Sequence, residues 1–483
     1  MKFEIKSKRE KKENKEKNKK SEENKEERKQ LTVNFYTLGC RTNTYETFAM
    51  MGDLKKAGFK IVSWEDNADF SIINSCSVTN MSERKTRQVL SHEKKKNPNG
   101  TFVCVGCYSQ HAKTGEIKAD IILGNSEKLN ISKYLIEYIN KNNKAKEKNQ
   151  KDFVSDIFED KKYKEYSYNS NYIENVRTRA IVKIQDGCDR FCTYCIIPYL
   201  RGRVRSRKEE NILEEINYFV EKGAKEIVLT GIHMSSYGKD FVRDTKYNGY
   251  KLIDLLEKIN EIKDLKRIRI GSLEPRIITD EFISRIKKLD KLCMQFHLSL
   301  QSACNETLKR MKRKYTIEEY MDAVFKLRKE IPNIRITTDV MVGFPGETDE
   351  EFNITYNNLK KLKFFKMHVF KYSKREGTIA AKMENQIDGN IKNERSKKLL
   401  ELNYKNAIEY LEKDLGKELE VLIEQEKDGI YFGYTKNYTK IGIKNENIKE
   451  NIINEILKVR AKKIENKDHK DTAEIYLLSE LIY

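Results

Sequence analysis

No run of about 18 consecutive apolar residues occurs in the 483-residue chain, which excludes a membrane-spanning helix. Its first residues are Lys, Glu and Asn, where a secretory leader carries an apolar core. The expectation is a cytoplasmic protein with no membrane partner. Proline is scarce, at 5 residues, while Lys, Asn and Ile abound, a bias that a genome favouring A and T produces as readily as function does. Nine cysteines are poor candidates for disulfides in a cytosolic protein, because that compartment keeps thiols reduced. Their spacing is therefore to be read for metal or catalytic chemistry.

The 95 Lys+Arg outnumber the 75 Asp+Glu, for a net charge of +20. That excess suits either a solvated surface or a nucleic-acid footprint built on phosphate neutralisation. Charge does not choose between them. Residues 1–30 hold almost nothing apolar and read as a disordered charged tail. In residues 31–145, strand-like runs at Val33–Leu38, Phe70–Asn74, Thr101–Val105 and Asp120–Leu123 alternate with helical patterns from about Tyr45 to Ala57 and Glu83 to Lys96. That alternation predicts an α/β domain with a doubly wound parallel sheet. Residues 146–178 are polar, dotted with Tyr, and read as a linker. Residues 179–414 repeat the alternation with strands at Ala180–Gln185, Glu226–Thr230, Arg267–Gly271, Gln295–Leu300, Arg335–Val342 and Met367–Lys371. Six such units predict a partial (β/α)6 barrel with its active residues at the carboxyl ends of the strands. In residues 415–483 the period falls to two in ELEVLIE, GIYFGYT, YTKIGIK and TAEIYLLSE, predicting a small OB-like β-barrel.

The densest chemical signal is Gly187-Cys188-Asp189-Arg190-Phe191-Cys192-Thr193-Tyr194-Cys195, a CxxxCxxC just past the first strand of the second domain. Three thiolates at this spacing can ligate three irons of a cubane iron–sulfur cluster, leaving the fourth open to substrate or cofactor. The competing readings are a zinc knot, which wants four ligands, and three unrelated buried cysteines. Cys40, Cys76 and Cys107 each follow a predicted strand, so a parallel sheet would bring them to one edge. Cys104 lies inside a strand, and Cys293 and Cys304 fit no ligand pattern, so these three read as core thiols.

The CxxxCxxC resembles that of the radical S-adenosylmethionine enzymes. Phe35-Tyr-Thr-Leu-Gly-Cys40-Arg-Thr-Asn43, Ile73-Asn-Ser-Cys76-Ser-Val-Thr79 and Gly106-Cys107-Tyr-Ser-Gln110 resemble the three cysteine motifs of the methylthiotransferase N-terminal domain. The resemblance implies two [4Fe–4S] clusters, one on Cys188, Cys192 and Cys195 and an auxiliary one on Cys40, Cys76 and Cys107. It further implies that S-adenosylmethionine binds at the first, with Tyr194 facing the adenine. Thr230 and Gly231 fall where the superfamily holds the methionyl amino group. Glu274 and Gln301 end the third and fourth strands as candidate cofactor contacts, while Gly343, Pro345 and Gly346 form a turn beside the adenine. For Glu274 a purely structural carboxylate is an equal reading, and Glu347 with Thr348 can simply cap a helix. The basic segment Arg201-Gly-Arg203-Val-Arg205-Ser-Arg207 resembles the family's, against the alternative of a solvated charge run. Gly271, Ala303 and Lys371 depart from the family pattern without touching a candidate ligand.

Within the family, the start through Tyr45-Glu46 and the segment His368–Thr378 resemble the subgroup that acts on N6-threonylcarbamoyladenosine at position 37, in the anticodon loop of tRNA. The alternatives are isopentenyladenosine 37 and an aspartate of a ribosomal protein. The implied mechanism uses two molecules of S-adenosylmethionine, one methylating a sulfur on the auxiliary cluster and one cleaved to a 5′-deoxyadenosyl radical. It requires an electron donor and a sulfur source that the motifs do not identify. The C-terminal segment resembles a TRAM domain, in which Tyr431, Tyr434 and Tyr438 would stack bases or else fill a small core.

Overall fold

Phe70–Ser75 and Thr101–Gly106 are buried at every position, as strands covered on both faces must be. They are the central strands, β3 and β4, of a parallel sheet with β1 (Thr32–Thr37), β2 (Lys60–Ile61), β5 (Ile121–Leu123) and β6 (Lys151–Phe153), in the order β2-β1-β3-β4-β5-β6. The helices Arg41–Lys56 and Ile131–Asn142 cover one face through Met50, Leu54, Ile131 and Leu135. The helix Asn80–Lys96 covers the other, where Leu90 meets Ile73, Phe102 and Cys104. The doubly wound sheet is thus as expected, with two differences. Both leading helices start several residues early, directly behind Cys40 and behind Thr79, whose side chain accepts from Ser82 N. The stretch read as linker supplies β6, which pairs with β5. The computed structural model describes residues 30–482 apart from 114, 143–149, 167–177, 445–447, 449, 466–471 and 473. The expected charged tail, save its last residue, and part of the linker lie outside the described residues.

The second unit holds β7 (Arg179–Asp186), β8 (Arg205–Ser206), β9 (Glu226–Gly231), β10 (Arg267–Ile270), β11 (Ser272–Leu273), β12 (Gln295–Leu298), β13 (Arg335–Val342) and β14 (Lys366–Lys371). They form two sheets, β10-β9-β7-β8 and β11-β12-β13-β14. Strands β10 and β11 are one strand interrupted at Gly271, so the two sheets continue into each other. A Cβ at Gly271 would sit 3.1 Å from the Leu229 carbonyl, so the neighbouring strand leaves little room there. Six parallel strands in sequence order make the expected partial barrel, and β8 adds an antiparallel hairpin to β7. One continuous core runs from Ala180 to Leu402.

The third unit is a closed ring, β15 (Glu418–Lys427), β16 (Ile430–Thr435), β17 (Lys440–Lys444), β19 (Tyr476–Leu481) and β18 (Ile456–Glu465). It is the expected small barrel. Its fourth strand escaped the sequence reading because Lys and Arg interrupt the apolar alternation of ILKVRAKKIE.

Of the three tyrosines expected either to stack bases or to fill a small core, one fills a core and two make contacts of a third kind. Tyr431 belongs to the barrel core. The Tyr438 hydroxyl donates to Glu226, and its ring lies 3.6 Å from the Arg269 guanidinium. Tyr434 faces Arg179 at 5.1 Å, and its carbonyl accepts from Arg267 at 2.7 Å. Tyr434 and Tyr438 dock the small barrel onto the amino-terminal ends of β7, β9 and β10, because arginines there offer flat cationic partners to aromatic faces. Among the described residues no helix is long and apolar enough to cross a membrane.

Candidate active site

Cys40, Cys76 and Cys107 follow β1, β3 and β4, which are neighbours in the sheet with their carboxyl ends in register at Thr37↔Asn74 and Ser75↔Gly106. Side-chain amides lock the three loops together. Asn43 donates to the carbonyls of Leu38 (2.8 Å) and Ser75 (2.9 Å), and Asn74 returns a bond to the Asn43 carbonyl at 2.9 Å. Ser75 Oγ accepts from Tyr108 N at 3.1 Å. Gly39 has φ +100°, and a Cβ there would come within 2.8 Å of Cys76 Sγ. Only glycine lets the first loop lie so close to the second thiol. Both Cys40 and Cys107 act electrostatically on Cys76, whose thiol is raised chiefly by burial.

The second triplet sits at the carboxyl end of β7. Cys188 N donates to the Gly202 carbonyl at 3.0 Å and Cys195 N to the Cys192 carbonyl at 3.0 Å, closing the loop. A Cβ at Gly187 would lie 1.8 Å from the Arg203 carbonyl, so no other residue fits. Burial pushes the Cys188 thiol up to about 11 and the Cys195 thiol up to about 12. As free thiols both hold their protons at neutral pH, and a metal must displace them.

The two triplets meet. Cys107 packs against Ile196 and Leu200, immediately beyond Cys195, and Asn125 links the Leu200 carbonyl (2.8 Å) to Cys107 Sγ (3.9 Å). Behind this junction Glu46 is buried among Lys128 (2.6 Å), Lys183 (2.8 Å) and Arg201 (2.8 Å), and Asp186 takes Lys183 at 2.6 Å and Arg205 at 3.8 Å. The basic segment is no solvated run. Arg201, Arg205 and Arg207 are buried, and Arg203 alone of its arginines is exposed. Lys128, Lys183, Arg201 and Arg205 outnumber the carboxylates of Glu46 and Asp186, and Cys107 acts on both Lys128 and Arg201. A second polar clamp lies beside Cys76, where Arg375 donates to Ser77 Oγ (2.7 Å) and to Glu83, and His111 Nε2 is 2.8 Å from the same carboxylate.

The other expected site residues divide. Tyr194 packs edge-on to Phe344 at 6.5 Å, joining the cysteine loop to the Gly343–Gly346 turn. In that turn Gly343 and Gly346 have φ +69° and +76°. Glu347 accepts from Gly343 N and pairs with Arg395, both within 2.7 Å. Glu347 thus fastens the turn rather than capping the next helix, and Thr348 alone caps that helix. Glu274 is buried between Arg190, His233 (3.2 Å) and Arg313 (3.6 Å). Burial works to raise it, but His233 and the two arginines hold it down at about 2. Thr230 and Gly231 close β9 beside Gln185, whose amide donates to the Gly187 carbonyl at 2.7 Å. Gln301 stands at φ +76° and pairs with β13 through Asp339 and Met341. Pro345 lies between the two glycines of that turn. Sequence reasoning passed over Arg313, whose Nη1 lies 3.5 Å from Cys192 Sγ, and Gln185 and His233, since isolated polar residues on strands and loops carry no spacing signal.

Residues 182–359 match the radical SAM superfamily, and residues 32–124 match a family described as uncharacterized protein family UPF0004. A threonylcarbamoyladenosine tRNA methylthiotransferase MtaB of Bacillus subtilis (strain 168) is 42% identical over 438 residues, 89% of this chain and 93% of that protein. The chain belongs to the radical SAM methylthiotransferases. The MtaB of Aquifex aeolicus (strain VF5) is 38% identical over 87% of this chain and 98% of its own length. A tRNA-2-methylthio-N(6)-dimethylallyladenosine synthase of Thermoanaerobacter pseudethanolicus is also 38% identical, over 82% of this chain and 83% of that one. Among solved structures, the radical S-adenosylmethionine methyltransferase TsrM of Kitasatospora setae superposes with TM-score 0.51 at 14% identity, over 71% of this chain and 75% of that one. That likeness supports the fold.

For a radical SAM methylthiotransferase the donor sets fit. Each triplet offers thiolate ligands alone, from loops braced by glycine and amide contacts, and the buried excess of positive charge faces Cys107, where an anionic thiolate-bound cluster would stand. Among the described residues no three His, Cys, Asp or Glu side chains converge on a single ion. A cubane takes one thiolate at each of several separate irons, so it does not ask for that convergence.

Proposed function

We propose that this methylthiotransferase converts N6-threonylcarbamoyladenosine 37 of tRNA to its 2-methylthio form in the cytoplasm. Cys188, Cys192 and Cys195 would hold one [4Fe–4S] cluster and Cys40, Cys76 and Cys107 the other, with S-adenosylmethionine as co-substrate. When bound, these groups supply reductive cleavage of the sulfonium and a sulfur carrier, chemistry that belongs to the cofactors. The chain supplies placement. Cys107 against Ile196 and Leu200 is the observation that carries the reading, since it sets the two cysteine loops side by side, and a primary radical needs its target at near contact. Tyr194, Thr230, Gly231, Glu274, Gln301, Gly343, Pro345 and Gly346 are proposed to line the S-adenosylmethionine site. Within it, Glu274 is a permanent anion able to accept from hydroxyl or ammonium donors, and Arg313 spans it and Cys192. The identity with two MtaB proteins over nearly their whole length supports the substrate.

The test is nucleoside mass spectrometry of tRNA from a host lacking this modification, with and without the expressed protein. The expected product is 2-methylthio-N6-threonylcarbamoyladenosine. Appearance of the methylthiolated isopentenyl nucleoside instead, in cells where the clusters assemble, would refute the substrate assignment.

A further inference from the structure

The segment that carries Cys188, Cys192 and Cys195 also carries a contiguous group of open aromatic and cationic side chains. Phe191 packs edge to face with Tyr199 at 5.5 Å between ring centroids, and the Arg203 guanidinium lies 4.9 Å from the Phe191 ring. Tyr199 is 42% exposed. The Arg203 side chain is 60% exposed and meets the equally open Asp189 at 3.4 Å, a pairing that water and salt render weak. Single rings scattered over a surface are ordinary, but here two rings and a guanidinium adjoin one another.

The backbone is committed to holding them there. Phe191 stands at φ +48°, in the left-handed region that is unfavourable for a bulky side chain, and strain of this kind clusters at ligand sites. Tyr199 belongs to the helix Ile197–Arg201, whose Leu200 packs with Ile196 against Cys107. The group is therefore part of the segment that sets the two cysteine triplets side by side, next to the place where a reacting base must come.

Chemistry at C2 of an adenine in an anticodon loop poses a stacking problem. A radical needs its target at near contact, so adenosine 37 has to leave the stack of its neighbours. Each base that flanks it then loses a stacking partner. An open ring with a guanidinium close by is a surface that replaces that partner, because the ring covers the face of the base while the cation meets its phosphate. Resting on tRNA as the substrate, as proposed above, we propose that Tyr199, braced by Phe191, stacks a base flanking adenosine 37 and that Arg203 holds the phosphate of that nucleotide.

The test uses the reconstituted holoenzyme and anticodon stem-loop RNAs carrying threonylcarbamoyladenosine, with affinity read by fluorescence anisotropy over a range of salt. Phe191 adjoins Cys192 and is left unchanged, and the variants are made at the two exposed residues. Tyr199→Ala should weaken binding about five- to a hundredfold, the worth of one stacked base, without changing the salt slope, and Tyr199→Phe should restore it. Arg203→Gln should instead flatten the salt slope by about 0.7, the share of one phosphate in a single strand. An abasic nucleotide on one side of adenosine 37 should weaken the wild type by the same factor as Tyr199→Ala and cause no further loss in that variant. The fluorescence of 2-aminopurine placed there should be quenched by the wild type and not by Tyr199→Ala.

Wild-type affinity unchanged by abasic nucleotides on both sides overturns the inference, whatever the variants do. Additive losses from Tyr199→Ala and base removal overturn it as well, as does a failure of Tyr199→Phe to restore binding. Unchanged RNA affinity in Tyr199→Ala, with turnover slowed on a protein reductant but not on dithionite, would overturn it and give the surface to the electron donor. The stacking loss is expected equally on a stem-loop carrying isopentenyladenosine. An error in the N6 group assigned above would thus show as a preference for that RNA with the Tyr199 effect intact.

Discussion

Glu46 and Arg201, which come from different domains, meet in a buried two-pronged pair, with Arg201 Nη1 2.8 Å from Oε1 and Nη2 3.0 Å from Oε2. Each is only 1% exposed at its side chain. The pair lies directly behind the junction of the two cysteine loops, so it sets how one triplet faces the other.

Removing one partner of such a pair leaves uncompensated buried charge. Glu46→Gln should therefore destabilise the chain by about 3–5 kcal/mol, because Lys183 and Arg201 would keep only the Asp186 carboxylate and Lys128 only the Asn125 side-chain oxygen. Thermal unfolding followed by circular dichroism should show a lower first transition. An unchanged transition would mean that the domains are held by apolar contacts alone.

The same groups make the protein acid-labile. Burial by itself would raise Glu46, but Arg201, Lys128 and Lys183 hold it well below its ordinary 4.5, and Glu274 is held at about 2. Folded-state values below the unfolded ones mean that this stabilisation is complete above about pH 4.5 and is lost as the pH falls from there toward 2. Denaturant midpoints measured from pH 7 down to 3 should fall below about 4.5, and Glu46→Gln should blunt that fall.

Cys76→Ala should halve the iron of the reconstituted protein from about eight atoms per chain. It should abolish methylthiolation yet preserve formation of 5′-deoxyadenosine. Cys192→Ala should abolish both. Chemical iron analysis and product chromatography check the pair, and intact methylthiolation in Cys76→Ala would remove Cys76 from the ligand set.

Tyr438→Ala is expected to loosen the small barrel. It deletes a ring stacked under Arg269 and the hydroxyl that serves Glu226, worth about 1–3 kcal/mol together. Limited proteolysis near Leu415 should accelerate, whereas the salt dependence of tRNA binding should stay as in the wild type. A loss of tRNA affinity at an unchanged salt slope, with unchanged proteolysis, would restore the base-stacking role for this residue.

Much of the fold was legible because the barrel and the first sheet are built of buried strands whose apolar runs stop at Gly, Asn or Cys. Strand β18 was not, since its outward Lys and Arg mask the alternation, and β6 was hidden in a polar stretch only three residues of which pair. At the site, the cysteines were readable from spacing. Arg313, Gln185 and His233 were not, because what defines them is the atom each meets across the barrel.

The sequence by itself determined the two cysteine triplets, the strand ends that carry them and the order of the domains, because local spacing and periodicity are written along the chain. Only the tertiary structure decided that the arginines of the basic segment are buried clamps and that Tyr438 floors the barrel. Those contacts join residues far apart along the chain, 155 positions between Glu46 and Arg201 and 212 between Glu226 and Tyr438. Whether a charge meets a carboxylate, a ring or a cavity depends on which strands the chain folds beside it.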